Sequence, residues 1–144
     1  MIAQNMPNKI GVLIVCLSLF IHSCCGLIKE EHLGSNFRLS EYDNLDRRIL
    51  YSEDRCSGSG IEIVPMTVTE YANDSKWIIA KSRTSRFGKE YHYWIIDKGF
   101  KIDVKTKSDS TINIIKSHVS GPLDSVSFIQ KTRSNNIILT LKKI

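Results

Sequence analysis

Two runs of five residues nearly repeat each other, Trp77-Ile78-Ile79-Ala80-Lys81 and Trp94-Ile95-Ile96-Asp97-Lys98. Each sets three large apolar residues side by side, and turn residues bound them, Asn73-Asp74-Ser75 before the first and Lys98-Gly99 after the second. Nine residues including Gly88 separate Lys81 from Tyr91, a length suited to an antiparallel hairpin. If the strands fold back symmetrically about Phe87, Trp77 lies near Ile96 and Ile79 near Trp94. Side chains alternate along a strand, so both tryptophans are then expected on one face, offset diagonally. Each buries a large area, and the pair would supply much of a small core. The alternative is an aromatic platform for a sugar or peptide, built from Trp77, Trp94 and His92, which alternation places on the face of Trp94. With only two tryptophans in the chain, burial is the stronger expectation.

Other segments repeat the strand signal. Residues 36–42, "NFRLSEY", alternate, and "RRILYSE" is a second short run before the glycines of "CSGSG". "IEIVPMTVTEY" holds Pro65 inside an apolar run, so it is an edge strand or two strands meeting at a bend. "FKIDVKTK" alternates Ile102 and Val104 with Lys101, Asp103, Lys105 and Lys107, which describes a half-buried strand with a solvated face. In the last third, Gly121-Pro122 leads into "LDSVSFIQKTR", with Pro at a helix start, Asp124 in the first turn, and Leu123, Val126 and Ile129 spaced by three. "SNN" stops that helix and "IILTLKKI" reads as a last strand. The expected fold is mainly β (α+β): an antiparallel meander with one C-terminal helix and a final strand.

The first residues do not belong to that fold. A polar stretch carrying Lys9 precedes Ile10 to Ile21, twelve residues without a charge. A spanning helix needs roughly twenty apolar residues, so this segment fits the core of a secretory signal instead. It ends in Ile21-His22-Ser23-Cys24, which looks like the lipobox of bacterial lipoproteins, with His22 departing from the small residue usual at that place. In such proteins the signal is cut before the cysteine, and Cys24 becomes the lipid-bearing first residue. The alternatives are an ordinary secreted product or an uncleaved anchor. The expected organisation is a signal over 1–23, a lipidated tether over 24–35, and one β-rich domain over 36–144. Loss of Lys9 lowers the formal charge from +5 to +4. An exported chain allows Cys25 and Cys56 to form a disulfide, but Cys25 on a tether and Cys56 as a lone loop thiol fit the spacing equally well.

Little in the chain points to catalysis. His32, His92 and His118 each stand alone, without the close spacing of metal ligands, so no metal or other cofactor is expected. His118 lies in a polar stretch and reads as solvated. "CSGSG" resembles a nucleophile elbow only superficially, since Cys56 replaces the first glycine. Glu62, Glu70, Asp74, Asp97 and Asp103 cannot be paired from sequence. The lysines at 98, 101, 105 and 107 form no unbroken basic field because Asp103 interrupts them. An exported chain without an aromatic-basic motif is not expected to bind nucleic acid.

"VTEYANDSKWIIAKS", "YHYWIIDK" and "SGPLDSVSFIQK" together resemble the DUF3997 family, from about Phe37 to the C-terminus. The resemblance implies a small, mostly bacterial lipoprotein of unknown function and transfers no site residues. The expectation is therefore a lipoprotein on the outward face of a cell-envelope membrane. Its domain is not an enzyme and binds an envelope protein or polysaccharide. The competing reading is an inhibitor or immunity protein against a toxin or hydrolase. A charge of +4 argues against the version aimed at a basic lysozyme.

Overall fold

The structure, a computed structural model, describes residues 28–42, 45–53, 60–65, 67–102 and 108–144. Four strands, β1 (Lys29–Gly34), β2 (Phe37–Glu41), β3 (Arg47–Tyr51) and β4 (Ile61–Val64), form a meander in that order. A second sheet holds β5 (Val68–Asn73), β6 (Trp77–Arg83), β7 (Tyr91–Asp97), β8 (Val119–Leu123) and β9 (Lys142–Lys143), ordered β8-β7-β6-β5-β9. Every pairing is antiparallel. Helix α1 (Ser108–Ser117) enters β8, and α2 (Ser125–Ser134) follows it. The mainly β fold with a late helix and a last strand is as expected. Pro65 marks the bend between β4 and β5, and the chain changes sheet there.

The apolar runs of β6 and β7 follow from burial on both faces. Ile78, Ala80, Trp94 and Ile96 face a core completed by Leu33, Phe37, Leu39, Ile49, Tyr51 and Val64 of the first sheet. Ile79 and Ile95 face the other way and meet Phe128 of α2, with Trp77, Tyr93, Leu139 and Leu141 around them. A strand covered on one side alternates, whereas one covered on both sides reads as continuous Ile and Trp.

The hairpin is centred on Phe87 as expected, but its ladder lies one residue from the expected one. Trp77 pairs with Asp97 and Ala80 with Trp94. Cross-strand partners share a face, so this shift puts the two tryptophans on opposite sides of the sheet. Trp94 is buried between the sheets and donates its Nε1 proton to Ser82 Oγ at 2.9 Å. Trp77 is half-buried on the helix side, with Lys76 Nζ 5.0 Å from its ring centroid. They do not form a shared platform.

The expected tether is also corrected. Residues 29–34 are a strand, and Leu33 is in the core. A two-residue turn joins β1 to β2, with Ser35 and Asn36 at positive φ and Gly34 at φ 86° beside it. Such turns match the twist of the flanking strands. The strand is hard to read from sequence because only Leu33 of its six residues is buried, leaving no alternation.

Two further departures lie in the last third. Helix α1 has no counterpart among the expected elements; Ile112, Ile114 and Ile115 among serines and threonines favour a strand by propensity. Asp109 in its first turn and Lys116 in its last complement the helix dipole, and Ile115 reaches the core. Gly121-Pro122 lies inside β8 instead of opening a helix. Asp124 is the N-cap of α2, accepting from Ser127 N at 2.8 Å. That backbone bond to Ser127 holds the Asp124 carboxyl below its usual range. At the far end, "SNN" stops the helix with Asn136 at φ 54°. Of "IILTLKKI", only Lys142 and Lys143 join a ladder, on Tyr71 and Glu70. Residues 100–102 of "FKIDVKTK" carry no strand, and 103–107 lie outside the described residues.

Lys98 corrects the expectation of a solvated lysine run. It is 6 % exposed, and its ammonium donates to Leu33 O at 2.6 Å and to Asp74 O. Its own N–H donates to Lys76 O at 2.7 Å. The side chain thereby ties the end of β1 to the β5–β6 turn. Burial pushes its pKa down, and Asp74 opposes that shift. Asp74 in turn accepts from the backbone of Trp77 and Lys76, each at 2.7 Å, and these bonds hold its carboxyl low.

Tyr71 links the sheets from the other side, donating its hydroxyl proton to Glu31 Oε1 at 2.6 Å. Burial, reinforced by Glu31, pushes the phenol up from 10.0 to about 12. A raised folded-state pKa contributes stability that is fully present below the unfolded value and is lost as pH rises through the folded one. The fold should therefore weaken between pH 10 and 12 through this group. Denaturation midpoints measured across that window should fall less steeply for Tyr71→Phe than for wild type. Equal slopes would show that Tyr71 titrates normally.

Candidate binding cleft

Among the described residues, those singled out from sequence do not converge. Cys24, Cys25 and Cys56 lie outside the described residues. His92 is half-buried and pairs with Ser82 in the β6–β7 ladder. His118, expected to be solvated, is half-buried, with its ring 4.9 Å from that of Phe100 and Nδ1 3.8 Å from Asp97 Oδ2. Glu62 pairs with Arg48 at 3.1 Å, and Glu70 with Lys81 at 2.9 Å. Among the described residues no group of three His, Cys, Asp or Glu side chains could hold a metal. No helix among them is long and apolar enough to cross a membrane.

Among the described residues the surface carries several open depressions, three of which bear on binding. One of about 420 Å³ lies against the first sheet beside Ser40, Arg48 and Glu62, and one of about 360 Å³ lies beside Asn36, Tyr51 and Phe100. The third, about 300 Å³, lies where the first sheet meets the second. Arg47 of β3, Thr69 of β5, Arg83 of β6 and Tyr91 of β7 line it together with Thr67 and Lys143. It gathers residues from five strands or their ends, which no local sequence motif could reveal.

Its walls are set by the ladders. Arg83 N donates to Thr67 O at 2.9 Å, continuing the β5–β6 pairing, and Thr69 Oγ1 donates to Lys81 O at 3.2 Å. Ile144 N donates to Thr69 O at 3.3 Å and brings Lys143 to the rim. Lys81 Nζ sits 4.4 Å from the Tyr91 ring centroid while bonded to Glu70, and the Glu70 bond raises its pKa. Glu70 is thus neutralised where it borders the cleft. Arg47 has Glu41 at 3.4 Å. Arg83 Nη1 donates to Arg86 O at 3.4 Å. Among the described residues its buried Nε has no hydrogen-bond partner, and neither has Thr67 Oγ1. Thr67 is 5 % exposed. Native proteins leave few such buried polar groups unbonded, and an unpaired donor costs about 1–3 kcal/mol. The side chains of the cleft are basic on balance, with Arg47, Arg83 and Lys143 against Glu70, which Lys81 pairs.

Two packed antiparallel sheets with a helix on the outer face of the second define a β-rich domain with a polar cleft at the sheet junction. Residues 34–144 match the family model for DUF3997, a protein family of unknown function, and the chain belongs to that family. No curated protein and no solved structure shows significant similarity to it.

Proposed function

We propose that the chain is a lipoprotein of a bacterial cell envelope, anchored through Cys24, whose β domain binds an envelope partner and is not an enzyme. The observation that carries this reading is the charge-free stretch Ile10 to Ile21 ending in Ile21-His22-Ser23-Cys24. Its length suits a cleaved signal, and the small residue before Cys24 suits lipidation. Two or more acyl chains on one residue hold a protein at a membrane stably, whereas one chain does so only reversibly. The domain would start close to the membrane, because β1 begins at Lys29 and leaves only Cys25 to Ile28 as spacer. The open basic cleft supports binding through exposed polar groups.

Intact mass of membrane-extracted protein tests the anchor, with wild type beside Cys24→Ala. Wild type should begin at Cys24 and carry added acyl mass, and the variant should carry none. An unmodified soluble product in both forms would overturn the lipoprotein reading and leave a secreted binding domain.

A further inference from the structure

We propose that the cleft at the sheet junction is a subsite for the carboxylate of an acidic sugar residue. This deepens the binding reading above and does not depend on the lipid anchor. The cleft contains unused hydrogen-bonding capacity: Thr67 Oγ1 and Arg83 Nε are buried there without partners. With Nη1 turned to the Arg86 carbonyl, the Nε edge is the side of the Arg83 guanidinium left unbonded among the described residues. That edge can present two parallel N–H groups to a carboxylate. Glu70 does not cancel this charge, because Lys81 holds it at 2.9 Å, and Lys143 adds a second cation at the rim.

The neighbours fit a sugar better than an extended peptide. Tyr91 lines the cleft and is 39 % exposed, and the hydroxyls of Thr67 and Thr69 flank it. An aromatic face beside small hydroxyls suits a ring with one apolar face and several OH groups. A peptide docking along a sheet adds a strand to a free edge. Here β9 already occupies the edge of β5, pairing Lys142 with Tyr71 and Lys143 with Glu70. At about 300 Å³ the cleft lies at the small end of ligand sites, so one sugar residue is its expected content.

The test is a ¹⁵N NMR titration of the full chain, held in nonionic detergent, with glucuronate, glucose, inorganic phosphate and the tripeptide Gly-Glu-Gly. Glucuronate should shift the amides of Thr67, Thr69, Arg83 and Tyr91 saturably, and glucose should not. Arg83→Gln should weaken that binding about tenfold or more, the scale of a lost charge-assisted pair. Thr67→Val separates binding from folding. It removes an unpaired buried hydroxyl, so it should raise the thermal midpoint by a few degrees while weakening glucuronate several-fold. No saturable shift with glucuronate would overturn the proposal, as would equal binding of phosphate. Tighter binding of Gly-Glu-Gly at the same amides would overturn the sugar in favour of an acidic peptide. None of these outcomes bears on the mass of the anchored protein, so the two readings fail separately.

Discussion

Replacing Gly121 with alanine should destabilise the fold by about 3 kcal/mol or more, at the upper end of what overpacking costs. A Cβ at this position would lie 2.4 Å from Trp94 Cε3 and 2.8 Å from Cδ2. The ring has no room to retreat. Trp94 is packed between the sheets, and its Nε1 is bonded to Ser82 Oγ. Moving β8 outward instead would break its pairing with β7, where the register shifts between Tyr93 and Ile95 beside this contact. Urea denaturation of Gly121→Ala measures the cost. Combining it with Trp94→Leu, which removes the obstructing ring, should give less than the sum of the two single losses by more than about 1 kcal/mol. Simple additivity would show that the strand yields and that the close approach is not what requires glycine.

Replacing Lys98 with alanine should cost about 2–4 kcal/mol, because it removes the donor shared by two main-chain carbonyls in different parts of the fold. Leu33 O retains a long bond from Asn73 Nδ2 at 3.4 Å, so Asp74 O is the more exposed to loss. Lys98→Met keeps the aliphatic stem and removes only the donors. If the hydrogen bonds matter more than the packing, Met should recover less than half of the loss, and recovery to wild-type stability would assign the effect to the stem. Lys98 also has a pH signature. Its folded-state pKa is depressed below 10.5, so the cost of burying the charge is present below the folded value. That cost disappears as pH rises toward 10.5, and stability from this group climbs. Tyr71 acts in the opposite sense above pH 10.

Much of the scaffold is legible in the residues, and its failures have specific causes. The β6–β7 hairpin and its centre at Phe87 follow from two bounded apolar runs and a glycine-containing loop. Strand β1 was lost because an edge strand with one buried side chain carries no period. Helix α1 is not legible because three isoleucines favour strands locally, whereas burial of Ile115 in the core and the terminal charges of Asp109 and Lys116 favour the helix. Proline suits a helix start, which is what Pro122 suggests locally, whereas it sits in β8 and Asp124 caps the helix two residues later. The cleft was not legible at all. Thr67, Arg83, Tyr91 and Lys143 are unremarkable one by one.

The sequence by itself determined the elements whose signal is local: the paired WII strands, an interruption of the apolar run at Pro65, and the Asn-rich stop after α2. Tertiary structure alone decided what depends on register and on distant neighbours. Side chains alternate every residue, so a shift of one in the β6–β7 ladder sends Trp77 and Trp94 to opposite faces. A lysine between Asp97 and Gly99 became a buried joint because carbonyls from the end of β1 and from the β5–β6 turn converge on it. Threonine and arginine side chains were left without partners because the meeting of two sheets, and no run of residues, brought them together.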